Sequence, residues 1–351
     1  MPHWSVYTGN SEPHDGVDRL PAPPPWRAFD GEPVLPAPRD GDDEAAVSPD
    51  RVHRARTYVA TPESVQLVNA ALVLRRPLLV TGPPGTGKSS LAYAVARELR
   101  LGPVLRWNIT SRSTLSDGLY QYDPLSRLYA ARQAAWRAGD GTPGAPGSGV
   151  PEGGGVEDHL RLGPLGTALL PYTRPRVLLV DEIDKSDLDL PNDLLNVLEE
   201  GQYEIPELMR AARHSADGAT AEVLTDGTDT PVTVARGRVR CRAFPFVVLT
   251  SNGEREFPPA FLRRCVRLQL RRPDREQLTE IVRAHLDTPP GEADHLIDRF
   301  LTRAADGELA TDQLLNALYL TGVAGLDAES RDALADELMP YLSATADGDG
   351  F

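Results

Sequence analysis

Residues 82 to 89 read GPPGTGKS, a run of small and conformationally free residues that ends in a lysine and a hydroxyl. Glycines let successive backbone N–H groups wrap around phosphate oxygens, and a helix starting there adds a favourable dipole. The full G-x-x-x-x-G-K-[ST] spacing puts an ammonium within reach of the outer phosphates and a hydroxyl next to their metal. Composition sharpens the reading of the lysine. Of the 37 Lys+Arg in the 351-residue chain, only Lys88 and Lys185 are lysine. Where arginine fills nearly every cationic position, a retained lysine marks a site that needs a compact ammonium rather than a planar guanidinium. The phosphate-binding candidates are Gly82, Pro83, Pro84, Gly85, Thr86, Gly87, Lys88, Ser89 and Ser90.

Further along, VLLVDEID at 177–184 is an apolar run that ends in acids. Asp181 with the hydroxyl of Ser89 would hold Mg²⁺, and Glu182 is placed to polarise an attacking water. Such a DE pair points to ATP hydrolysis more than to phosphoryl transfer onto a small acceptor. TSN at 250–252 closes another apolar run, and Asn252 could bond the γ-phosphate or that water, or simply form a turn. FLRRC follows, where Arg263 or Arg264 is placed to act as an arginine finger completing a neighbour's site, the alternative being a surface ion pair.

These groups need a scaffold that brings loop ends together. Thr61-Pro62 starts a helix that Pro77 stops, and PLLV then forms a strand running into the glycine-rich loop. A helix from about Ser89 and a second strand, VLRWNI, follow. Strand, turn, helix, strand opens a doubly wound parallel sheet. The fold class expected is therefore α/β, with a P-loop αβα sandwich followed by a small helical domain, because the pattern from Pro273 onward is helical with no strong strand signal. The Pro/Asp/Gly-rich residues 1–50 read as a disordered arm, and the glycine-rich stretch within 138–158 as a flexible loop. Asp123-Pro124 starts a helix whose Leu125, Leu128, Tyr129 and Trp136 fall near one face.

Bulk properties narrow the classes. A formal net charge of −14 works against a coat for nucleic acid. Neither a run of 18 apolar residues nor a signal-peptide order is present, so no membrane insertion and a cytoplasmic location are expected. Cys241 and Cys265 are read as small core residues.

With its loop, DEID, TSN and LRR in this order, the chain resembles an AAA+ ATPase of the MoxR family, in the clade with an insertion in helix 2. The resemblance covers roughly residues 55 to 345. It implies a nucleotide-binding domain over 51–272, a helix-2 insertion at about 111–175, a pre-sensor hairpin at about 203–243, a lid over 273–345 and a tail at 346–351. It implies that Tyr58 and Val59 lie by the adenine. It also implies a homo-oligomer, a hexameric ring that hydrolyses ATP to remodel protein clients, often ones with a von Willebrand A domain. Many relatives place a lid arginine toward the γ-phosphate, where this chain has LATDQLLNAL. In a ring, Lys185 would face the adjacent subunit; its local alternative is an ion pair with Asp184 or Asp187. Arg236, Arg238, Arg240 and Arg242 alternate along a hairpin, as a solvated face or as a basic arm. The competing readings are a McrB-like nucleic-acid motor, which would use that arm on phosphates, and a small-molecule phosphotransferase.

Overall fold

Five short runs, the central three mostly apolar, become the strands of one parallel sheet in the computed structural model, which describes residues 4–38, 48–139, 155–213, 220–227, 231–286, 291, 293–323 and 328–341. They are β1 (Leu78–Thr81), β2 (Leu105–Asn108), β5 (Val177–Asp181), β10 (Phe246–Ser251) and β11 (Val266–Gln269), in the spatial order β11-β1-β10-β5-β2. Successive side chains of a strand point to opposite faces. Leu79, Leu178, Val180, Val247 and Leu249 accordingly enter one core, while Leu78, Val80, Val177, Leu179 and Val248 enter another. Continuous apolar runs are what a strand covered on both faces requires.

The second core is closed by α1 (Pro49–Thr57), α2 (Pro62–Leu74) and α3 (Lys88–Glu98). Thr61 caps α2 by accepting from the Ser64 N–H, with Pro62 in the first turn, as the sequence predicts. The first core is closed by α7 (Leu190–Glu200) and by α4 (Leu115–Leu119), β3 (Tyr120–Tyr122), β4 (Leu160–Leu162) and α6 (Pro164–Ala168), which are inserted between β2 and β5 together with α5 (Pro124–Gly139). A second sheet, which the sequence reading did not anticipate, runs β3-β4-β7-β8-β9-β6. It draws β6 (Gln202–Glu204), β7 (Thr220–Leu224), β8 (Pro231–Ala235) and β9 (Arg238–Arg240) around α8 (Pro206–Ala212). Strands of three residues with one buried position each leave almost no periodic trace.

The hairpin expected at about 203–243 is thus β8 and β9 within a larger sheet, turning at Arg236 and Gly237, both with positive φ. Arg238 pairs with Glu204 at 3.1 Å and Arg240 with Asp30 at 2.8 Å. These pairs neutralise two members of the basic arm. Leu125, Leu128 and Tyr129 of α5 are exposed, so that face is not packed; the side chain of Trp136 lies outside the described residues. Residues 140–154 of the glycine-rich stretch and the tail at 346–351 lie outside them too.

The C-terminal region holds α10 (Arg275–Leu286), α11 (Asp294–Asp306), α12 (Thr311–Val323) and α13 (Ala328–Leu338) around a core of their own, including Leu278, Ile297, Phe300 and Leu314. The last helix was not expected. Between β10 and β11 lies the single-turn α9 (Pro259–Leu262). Cys241 and Cys265 are free and buried as expected, with burial pushing each thiol up to about 12. Among the described residues, no helix is long and apolar enough to cross a membrane.

The disordered arm expected over 1–50 is corrected: residues 4–38 are packed on the domain, and 39–47 lie outside the described residues. Few apolar anchors suffice because polar ones assist. The carboxylate of fully buried Glu98 accepts from the N–H groups of Thr8, Gly9 and Ser11 and from the Thr8 hydroxyl. Tyr7 is fully buried, Phe29 stacks on Phe244, and the Arg27 guanidinium lies 4.5 Å from the Phe244 ring. Glu98→Ala strands several buried donors and is expected to cost about 3 kcal/mol, read as a lower urea midpoint. An unattached arm would leave that midpoint unmoved.

Candidate functional site

The carboxyl ends of β1, β5 and β10 meet at one edge of the sheet, and the predicted groups ride on the turns that leave them. Ligands of open α/β sheets bind at such an edge. After β1, the chain makes the glycine-rich turn before α3, with Gly85 at φ 75° and Gly87 at φ 81°. A side chain at Gly85 would meet the Ala310 Cβ at 2.7 Å and the Thr311 N at 2.8 Å. The absence of a Cβ therefore lets the start of α12 seat directly on the loop.

Lys88 opens α3, is buried, and donates from Nζ to the carbonyls of Gly82 and Pro83, both at 2.8 Å. Burial lowers its pKa, opposed by the charges of Asp184, Asp181 and Glu182. Ser89, next in the helix, donates to Asp181 Oδ1 at 2.6 Å. The same oxygen accepts from Thr250 Oγ1 at 2.7 Å, and Oδ2 accepts from Arg106 Nη2 at 2.8 Å. Burial alone would raise the Asp181 pKa, but the bonds from Ser89, Thr250 and Arg106 outweigh it and hold the carboxyl below its usual range.

Glu182 has left the strand, with φ 62°, and its Oε2 accepts from Lys185 Nζ at 2.9 Å. The local partner of Lys185 is thus Glu182, not Asp184 or Asp187, and this bond raises the lysine's pKa. Asp184, buried on the turn Ile183–Lys185, accepts at Oδ2 from the N–H groups of Asn252, Gly253 and Glu254.

A cavity of about 440 Å³ opens at this edge of the sheet. Pro84 to Ser90, Asp181, Glu182 and Asn252 line it, with Tyr58 and Val59 at one wall and Thr311 and Asp312 of α12 at another. Gly82 and Pro83 contribute through the carbonyls that hold Lys88. Burial drives the Tyr58 hydroxyl up to about 12. Among the described residues, the arginine that lines this cavity is Arg54 of α1, not one from the C-terminal helices. A larger cavity, about 610 Å³, lies elsewhere beside Asp15, Arg100 and Arg174 and contains none of the motif residues.

Arg263 and Arg264 leave α9 and do not line the cavity. Arg264 donates to Glu199 and to the Ala260 carbonyl, whereas the Arg263 side chain is exposed. Lys185 also stays outside the cavity lining. Sequence reasoning missed Arg106, Thr250 and Asp184. Thr250 and Asp184 stand inside the quoted TSN and DEID runs, but Arg106 sits mid-strand with nothing to mark it.

The residues present fit a magnesium nucleotide. Ser89 and Asp181 are hard oxygen donors in contact, the suite such an ion takes. The loop's two left-handed glycines and the inward ammonium form a cradle for phosphate. Removing a donor from Asp181 has a readable consequence. Because its folded pKa is depressed, the carboxylate contributes stability above its unfolded pKa, and that contribution is lost as pH falls through the folded value. Arg106→Gln should lower the melting temperature at pH 7, and the gap from wild type should close only as pH falls through that folded value, which lies below the ordinary carboxylate value of about 4. A gap independent of pH would separate Arg106 from the charge of Asp181.

A search of curated proteins returned no match. Residues 77–265, from just before β1 to just before β11, match the model of the AAA domain, dynein-related subfamily. That span exceeds half of the chain and contains the loop, DEID, TSN and FLRRC, so the protein belongs to this AAA family.

Proposed function

We propose that the protein is an ATPase that binds ATP at this cavity, hydrolyses it in a ring of like subunits, and uses the cycle to remodel partner proteins, as the MoxR resemblance implies. The observation that carries the reading is the Ser89 to Asp181 contact at 2.6 Å. It unites the phosphate loop and the acidic strand end in one cavity with Glu182 and Asn252.

Within that reading each group has a task. N–H groups of the loop and the Lys88 ammonium take the phosphates, the lysine exchanging two carbonyls for phosphate oxygens. Ser89 and Asp181 would hold Mg²⁺, which when bound neutralises developing charge on the phosphates. Tyr58 and Val59 flank the base. Glu182 takes the proton of the attacking water, and Asn252 orients that water. To do so Glu182 must release Lys185, and a neighbouring subunit that bound Lys185 would free it. Arg263 or Arg264 completes the site of a neighbour across the ring. The ion pairs of Arg238 and Arg240 remove support from the McrB-like alternative.

Lys88→Ala should abolish ATP binding. Glu182→Gln should keep nucleotide affinity and lose turnover by about 10² or more, and should retain client proteins in a pull-down. Lys185→Ala should change the rate with affinity nearly intact. Fluorescent-nucleotide titration beside phosphate release separates these outcomes, and equal loss of affinity in all three sinks the division of labour.

Complementation identifies the finger. The arginine responsible is the one whose alanine variant is inactive alone and regains activity when mixed with Lys88→Ala subunits. Full activity of both single variants would remove a trans arginine from the scheme.

A further inference from the structure

Three consecutive backbone N–H groups converge on one side-chain oxygen at the end of β10. Asp184 Oδ2 accepts from Asn252 at 2.9 Å, from Gly253 at 3.1 Å and from Glu254 at 3.2 Å. A turn that points successive N–H groups inward is a concavity for an anion. Here the anion is internal, and Gly253, at φ 84°, supplies the left-handed residue that the curl requires. Asp184 is only 3% exposed, so these charge-assisted bonds act in low dielectric, where they are strong and costly to lose. Its other oxygen, Oδ1, is buried with no donor among the described residues. The carboxylate is therefore committed to this one turn.

The two ends so joined are those that carry Glu182 and Asn252. Further bonds run between the same segments: the Glu182 N–H donates to Thr250 Oγ1 at 2.9 Å, and Arg255 Nη1 donates to the Ser186 carbonyl at 2.6 Å. We infer that Asp184 is the positioning residue for Asn252, pinning its turn to the turn of Glu182 so that both groups meet the attacking water as one rigid unit. This rests on the ATPase reading above and adds to it a residue that touches neither nucleotide nor water. A pinned turn matters because a displacement of about 1 Å in a positioned group costs about 10²-fold in rate.

The test combines amide exchange with kinetics. In Asp184→Ala, hydrogen exchange at residues 252–254 should speed up by about tenfold or more. Phosphate release should fall by a similar factor while nucleotide affinity holds. Adding Asn252→Ala to Asp184→Ala should cost nothing further, since residues that act as one unit are not additive. Asp184→Asn keeps an acceptor oxygen without the charge. Its exchange should lie between wild type and alanine, which preserves the comparison should the alanine variant fail to fold. Unchanged protection at 252–254, or losses that multiply in the double variant, overturns the positioning role. The ATPase reading fails separately, on wild-type turnover in Glu182→Gln, and the exchange result stands regardless of that outcome.

Discussion

The Asp181 carboxylate is the point on which the site depends. Burial penalises its charge, and three donors from separate elements offset the penalty: Ser89 at the start of α3, Thr250 in β10 and Arg106 in β2. Thr250 and Arg106 converge because β5 lies between β10 and β2 in the sheet, which brings segments more than sixty residues apart in sequence to one carboxylate. An error in strand order would leave an unpaired buried charge, which is strongly destabilising. The constraint that builds the site thus also helps to select the fold.

Around this point, cations rest on partners within the chain. Lys88 donates to two loop carbonyls, Lys185 to Glu182, Arg106 to Asp181, and Arg264 to Glu199. Exchanging one hydrogen-bond partner for another costs far less than making a bare charge, because the donor is never left unsatisfied in either arrangement. A site wired in this way can accept a polyanion through partner exchange, with little refolding of the loops.

Two peripheral elements set the walls. The C-terminal helices seat Ala310 and Thr311 on Gly85, so they touch the phosphate loop through backbone and a small side chain. The N-terminal segment reaches the domain through Glu98 and Asn69, which between them bond the backbone of residues 6–11. That segment reads as disordered by composition, because its few apolar anchors, such as Val6, Tyr7 and Val17, are supplemented by polar side chains of the domain. Counting apolar residues in one window cannot register a buried acceptor that lies ninety residues away.

The amino-acid sequence on its own determined the local parts: the glycine-rich turn, the strands PLLV and VLLVD, the capped helix from Pro62, the buried cysteines and most of the cavity lining. Each is written in adjacent residues, through backbone freedom, apolar runs or capping, so neighbours in the chain suffice to specify it. The second sheet, the Arg106 bond to Asp181, the pairing of Lys185 with Glu182 and the three N–H groups on Asp184 were decided by the tertiary structure. Every one of them except the Lys185 pair joins residues distant in sequence. Even that pair, only three residues apart, needs Glu182 to adopt a left-handed turn at φ 62°, which the bonded end of β10 helps to hold. Partner choice among charges depends on which loop ends the strand order brings together, and strand order is a property of the whole core.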